Sequence, residues 1–400
     1  MNELQFIKKH ASCYIYDEIQ IRAQCRKLKA SLAAFDFLYS IKTNPFPTVI
    51  ECVGQEGFGA DAASAHEVEL SIQNGILPEN IYYSSPGKTE SDLAQCFEKC
   101  VLIADSLSEI AKIDEEAKRR QQVIKIGIRI NPNFSMDSDS GVPSKFGIDI
   151  EQVEALEVLL EACSNVRVSG IHIHIKSQVL DFEKLGRYYL KCFEIAKRIS
   201  KLPKTSMEYI NFGSGIGAVY DASLDAPVDL VKLSNILDGM ILENQNTLGA
   251  RLYIETGRFV TCNAGTFYTR IVDIKHSKGK KYLIVQHGMN GFLRPALANL
   301  LQRNAGGAEL PGQEPLYTSN HAFSFEVLNN ASSKELVTIV GNLCTALDVL
   351  GENVEVKAAE IGDIIAVSNA GSYAYSLSPL MFSSHGLPSQ FIRRADGKIE

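Results

Sequence analysis

Over the first two thirds of the chain, short apolar or β-branched runs alternate with amphipathic stretches. The runs at 37–41, 59–61, 81–84, 101–104, 125–130, 167–175, 209–212 and 251–255 have the length and composition of buried strands. Between many of them apolar residues return at spacings of three and four, as in 65–74 and 148–162, which predicts helices. Eight strand–helix units predict a (β/α)8 barrel, with a doubly wound sheet as the runner-up. These strands end at or near Lys42, Asp61, Ser84, Asp105, Asn131, His174, Gly213 and Glu255. A barrel gathers its chemistry at the C-terminal ends of its strands, although strands also end in ordinary polar loops.

After Cys262 the pattern changes. Runs at 265–274, 281–287, 336–340 and 363–367 are β-like, and amphipathic helical stretches become sparse. The fold class is therefore α/β, a barrel at 19–262 followed by a mostly β domain at 263–400. Residues 1–18, which contain the strand-like CYIYD, are expected to join the second domain. A net charge of −7 argues against broad nucleic-acid or anionic-membrane binding, which needs a basic face. Nine irregularly spaced cysteines fit a reducing compartment, and Cys96 and Cys100 lack the second pair of a zinc site. With no signal-peptide pattern and no membrane-length apolar run, a cytoplasmic location is expected.

Lys42, in YSIKTNP, is either a snorkelling lysine or a Schiff-base nucleophile in a sheltered site; companions decide. One companion is the turn NFGSGIG, where Gly213, Ser214 and Gly215 let main-chain N–H groups approach a phosphate, or simply make a tight turn. Another is Glu255 in YIETGR, a carboxylate able to hold a pyridine nitrogen protonated, with Arg258 nearby to pair with a phosphate or a carboxylate. The alternative there is a structural Glu–Arg pair. His172 and His174 alternate in GIHIHIKSQ, which places both on one side of a single strand. Such a pair also serves barrel metallohydrolases, but the other histidines lie at no barrel-strand end, so no metal is expected. In the second domain, Cys344 reads alone as a buried core cysteine, and the Gly-Ser before Tyr373 predicts a tight loop presenting its hydroxyl.

Taken in order, these segments resemble the fold-type III pyridoxal 5′-phosphate (PLP) decarboxylases, which include diaminopimelate and ornithine decarboxylases. The resemblance is carried by YSIKTNP, GFGADAASAHE, SSPGKTESDL, IRINPN, SKFGID, GIHIHIKSQ, NFGSGIG and IETGR. It continues through HGMNGFLRPAL, GNLCTALDVLG and NAGSYAYSLSP. It implies that Lys42 holds PLP as a Schiff base, that His174 stacks on the ring and that Glu255 pairs with the ring nitrogen. Ser177 and the Gly213–Ser214–Gly215 turn would hold the phosphate, Arg258 a phosphate or substrate carboxylate, and Tyr373 the phosphate or neighbouring substrate. Arg294 would contact the substrate. Asp61 and Glu67 match acidic positions near the lysine. The family's site lies at a homodimer interface, so Cys344 would come from the partner subunit and return a proton to the carbon that has lost CO2.

Three positions depart from the family. Thr345 stands where diaminopimelate decarboxylases carry Glu and ornithine decarboxylases Asp, the acceptor of the substrate's distal ammonium. Ala298 replaces a substrate-binding tyrosine, and Lys176 replaces a glycine beside the stacking histidine. The Cys-Thr-x-x-Asp pattern resembles biosynthetic relatives of siderophore and aminoglycoside pathways, acting on citrate conjugates or on a glutamyl group tethered to a carrier protein. The expectation is thus a PLP-dependent decarboxylase of an amino acid or amino-acid conjugate in small-molecule biosynthesis. The alternatives are a decarboxylase of free diaminopimelate, ornithine or lysine, an amino-acid racemase, and a non-catalytic regulatory homologue. Intact Lys42, Glu255 and Cys344 argue against the last.

Overall fold

The structure, a computed structural model, describes residues 2–213, 215–304 and 322–400. The chain divides into two compact units: Ala23–Gly217 with Pro227–Phe259, and Met1–Arg22 with Ala218–Ala226 and Val260–Glu400.

Strand β1 (Cys13–Asp17) belongs to the second of these units. The first is built on β2 (Asp36–Ser40), β3 (Gly59–Ala62), β4 (Ile81–Tyr83), β5 (Val101–Ala104) and β6 (Ile124–Asn131). After the two-residue β7 (Ile148–Asp149), it continues with β8 (Val166–His172), β9 (Thr205–Asn211) and β10 (Arg251–Thr256). Every pairing among them is parallel, in the circuit β2–β3–β4–β5–β6–β8–β9–β10, and β10 returns to β2. The ring is closed, so the doubly wound sheet, which is open, is ruled out. Parallel strands are covered on both faces, which is why they read as near-continuous apolar runs. Inside the ring Tyr82, Tyr209 and Tyr253 pack with Leu38 and Ile103. Glycine makes room for them: a Cβ on Gly127 would lie 2.1 Å from the Tyr209 hydroxyl, and one on Gly170 2.5 Å from its ring.

Two expectations need correction. The run 167–175 stops being a strand at His172, so His174 follows the strand end and does not share a strand face with His172. The expected helix at 148–162 starts only at Val153, because Ile148 and Asp149 pair with Ile130 and Asn131 and a 3-10 turn follows.

In the second unit, the long strand β11 (Gly265–Ser277) is the spine. It pairs with β12 (Lys280–Val285), which leads through β14 (Lys334–Gly341) to β15 (Val349–Lys357). On its other side lies β16 (Ile364–Val367), next to β13 (Phe325–Val327). β1 joins β11 antiparallel and β17 (Ser389–Arg393) parallel. Ile7, Cys13, Ile15, Tyr268 and Ile364 form a core beneath this junction. This unit is mostly β; among its described residues are the helices Glu3–His10 and Leu293–Asn304, neither of which the sequence pattern predicted. Among the described residues no helix is long and apolar enough to cross a membrane.

Candidate active site

Lys42 sits in a one-turn 3-10 helix, Ile41–Thr43, directly after β2. Its Nζ is 3.0 Å from Asp61 Oδ2 at the end of β3, and Ser84 beyond β4 donates to Asp61 Oδ1 at 2.7 Å. Asp61 is fully buried whereas the lysine side chain is 46% exposed, so a fixed buried carboxylate anchors an accessible side chain. The turn after β10 closes on the same loop: a Cβ on Gly257 would lie 2.1 Å from Thr43 Oγ1. Glu67 accepts a hydrogen bond from the Ala63 N–H at 2.7 Å. Burial pushes its carboxyl up to about 7, against the Ala63 bond and the Lys42 charge.

Glu255, near the end of β10, is buried and accepts from Asn211 Nδ2 at 2.9 Å. His172 Nε2 is 3.1 Å from Glu255 Oε1, close enough for charge attraction but not aligned as a hydrogen bond. Burial alone would raise the Glu255 carboxyl; its interaction with His172 and the Lys42 charge overcome it and hold the group below the ordinary carboxylate range. An ionised carboxylate deep in the barrel, with one oxygen fixed by Asn211, suits a protonated ring nitrogen.

The other face of Asn211 shapes the glycine turn, its Oδ1 accepting from the Gly213 N–H at 2.9 Å. Gly213 has φ +65° and Gly215 φ +150°. A Cβ on Gly213 would lie 2.5 Å from the Ile173 carbonyl and 2.6 Å from His174 Cβ. Only glycine allows this turn to lie so close to the His174 segment. Ser214 lies outside the described residues. Ser177 Oγ is 3.3 Å from His174 Nε2. The imidazole is pushed down to about 3, chiefly by burial, with Arg129 and Lys42 adding and Glu255 opposing. It is therefore neutral near pH 7, as a ring-stacking imidazole should be. Arg258 is buried in the short helix following Gly257. Lys42, Asp61, His174, Ser177, Gly213, Gly215 and Glu255 thus gather at the C-terminal mouth of one barrel. A glycine-rich turn, an anchored amine and a buried ionised carboxylate fit a phosphorylated pyridine aldehyde.

Sequence reasoning missed several supports here. Asn211 joins Glu255 to the turn. Tyr188, on the helix Phe182–Ile199, donates towards the Ile173 and Phe212 carbonyls at 2.7 and 2.9 Å, tying the ends of β8 and β9 together. Buried Arg129 lies 3.7 Å from Asp105 and packs over the Phe146 ring at 4.4 Å. Its place in IRINPN was the available signal.

The second unit holds the remaining predicted residues. Cys344 is exposed, not the core cysteine its lone reading gave, and its Sγ is 3.7 Å from Ser383 Oγ. Its loop hangs on Asp348, whose carboxylate accepts from Met289 and Leu343 N–H groups at 2.6 and 3.1 Å. Gly288 and Gly341 leave space for that carboxylate. Thr345 Oγ1 accepts from the Leu347 N–H at 3.3 Å. Tyr373 has φ +48°, an unusual conformation for a bulky residue, after Gly371 and the buried Ser372, which is bonded to Thr261. Arg294 is fully buried, donating to Ser372 O at 3.0 Å and Tyr220 Oη at 2.7 Å between the Tyr220 and Phe323 rings. Among the described residues no group of three or more His, Cys, Asp or Glu side chains is placed to hold a metal ion.

Residues 18–262 match the family described as pyridoxal-dependent decarboxylase, pyridoxal binding domain. The chain belongs to this family. Its cofactor is PLP and its reaction class is decarboxylation. Among its relatives, the L-glutamyl-(BtrI acyl-carrier protein) decarboxylase of Niallia circulans is 29% identical over 393 residues, 95% of this chain and 88% of that protein. The diaminopimelate decarboxylase of Archaeoglobus fulgidus is 30% identical over 365 residues, 88% of this chain and 81% of the relative. The crystal structure of diaminopimelate decarboxylase from Helicobacter pylori complexed with L-lysine has the same fold. It aligns with a TM-score of 0.84 at 24% identity, covering 100% of this chain and 95% of that one.

Proposed function

We propose that this decarboxylase acts on an amino-acid conjugate, with a carrier-tethered glutamyl group as the leading class, at sites shared within a homodimer. Lys42 would hold PLP, Glu255 would face its ring nitrogen, His174 would cover the ring, and Ser177, Ser214 and the glycine N–H groups would take the phosphate. Arg258 and Tyr373 would complete the phosphate or substrate contacts. Bound PLP supplies an electron-accepting ring that takes up the charge left when the carboxylate departs. Asp61 orients the amine, Glu255 keeps the negative potential deep in the barrel, and Cys344 Sγ returns a proton to the reacting carbon.

The observation that carries the substrate reading is Thr345. Its hydroxyl is uncharged and engaged by the Leu347 N–H, so it offers no carboxylate to a distal ammonium. The buried, partnered Arg294 would need to leave Tyr220 and Ser372 to reach a substrate. The Niallia circulans relative supports a tethered substrate, and exposed Leu347, Met381, Phe382 and Leu387 in the Cys344-bearing unit support a partner subunit. The test compares kcat/KM for CO2 release from free diaminopimelate, lysine and ornithine with that from glutamyl-carrier and citrate-conjugated substrates. A charged hydrogen bond is worth about 1.5–3 kcal/mol, so free diamino acids should be poorer by roughly tenfold to a hundredfold. Thr345→Glu should narrow the gap. Efficient turnover of free diaminopimelate by the unmodified enzyme would sink the substrate reading and leave the cofactor site intact.

A further inference from the structure

Lys176, two positions after His174, is drawn into an ion pair on a neighbouring loop. Its Nζ is 2.9 Å from Asp137 Oδ2 on the loop after β6. The other oxygen of the same carboxylate is 2.6 Å from Lys184 Nζ on the helix Phe182–Ile199. One carboxylate thus spans two cations, one beside Ser177 and one on the helix that fastens β8 and β9. Asp139 adds a single ion pair with Lys191 at 2.5 Å. These charges add to the buried Phe134 and Met136 side chains in holding the segment against the helix. A cleft of about 380 Å³ lies between residues 134–139 and the helix, lined by Phe134, Met136, Arg187 and Tyr188 among others. The neighbouring residue Met136 nevertheless reaches the glycine turn: its Cε is 3.9 Å from where a Gly215 Cβ would be.

We propose that Asp137, clasped between Lys176 and Lys184, is a positioning residue that holds the 134–139 loop beside Gly215 and slows the release of PLP. The inference rests on the assignment of that turn to the phosphate. Asp137, Lys176 and Lys184 keep 51%, 49% and 40% of their side-chain surfaces exposed, so the clasp is modest and salt-sensitive.

The experiment measures PLP release from the holoenzyme, followed by loss of cofactor absorbance in the presence of an excess apoenzyme acceptor. Wild type, Asp137→Asn, Lys176→Gly and Asp137→Glu are compared at low and high salt, with melting of each apoprotein measured in parallel. Asp137→Asn and Lys176→Gly should release PLP about fivefold faster at low salt, on the scale of one or two exposed ion pairs. The wild-type rate should converge on theirs at about 0.5 M salt, where the Debye length is only a few ångströms. Asp137→Glu should keep the slow rate, and apoprotein melting should stay unchanged. Unchanged release at low salt overturns the clasp, and so does a faster release that is independent of salt or matched by a loss of apoprotein stability. A wild type that takes up no PLP would overturn the phosphate assignment together with the inference, which separates the two failures.

Discussion

Glu67 provides a direct electrostatic test of the surroundings of Lys42. Its carboxyl lies beside Asp61 and Lys42 at the start of the helix Ala65–Gln73, where burial raises it from 4.5 to about 7. In the unfolded chain it ionises near its ordinary value. Below about pH 4.5 both states hold the proton and the group has no effect on stability. Between about 4.5 and 7 the unfolded chain loses its proton while the folded one keeps it, so stability falls as pH rises through this window and levels off above 7. A shift of about 2.5 units corresponds to at most about 3 kcal/mol, since one unit is 1.36 kcal/mol. Glu67→Gln keeps an acceptor for the Ala63 N–H and cannot ionise. In urea unfolding of the cofactor-free protein, the variant should match wild type near pH 4.5. At pH 8 it should be more stable, by up to about 3 kcal/mol. A difference that stays constant across that range would refute the burial argument and make the substitution merely a change of packing.

Gly213→Ala should lower both melting temperature and PLP affinity, because the residue has φ +65° and its new Cβ would meet the Ile173 carbonyl; about 1–3 kcal/mol of stability is at stake. Glu109→Ala should cost about 3–5 kcal/mol in urea unfolding, since it strands the buried Lys88 ammonium now 2.6 Å from the carboxylate. Mixing inactive Lys42→Ala and Cys344→Ala proteins should restore part of the activity if the sites are shared between subunits. Failure despite demonstrated subunit exchange would argue for sites built within one chain.

The barrel was legible because parallel strands covered on both faces leave apolar runs long enough to see, and the eight runs fall on the eight strands of the ring. Its boundaries were less so. Val166–His172 and the sequence after it are equally β-like through Ile175, and nothing local marks the point where the chain leaves the sheet. The helix Leu293–Asn304 was missed because its start, Leu-Arg-Pro, reads as a loop.

The supports of the site stayed hidden for a different reason. Asn211 matters because one side-chain amide serves two partners, Nδ2 to Glu255 forty-four positions away and Oδ1 to Gly213 two positions away. In sequence it is only a polar residue at a strand end. Tyr188 looks like part of a helix's apolar face, and its hydroxyl gains a role only when β8 and β9 end beneath it. The two histidines make the same point more sharply. A spacing of two predicts a shared face only while the strand lasts, and it ends at His172. His172 therefore remains in the barrel against Glu255, whereas His174 lies beyond the strand, against Ser177 and the Gly213 turn. The metal-like H-x-H pattern is divided by one strand end into a buried partner for the carboxylate and a neutral ring at the mouth.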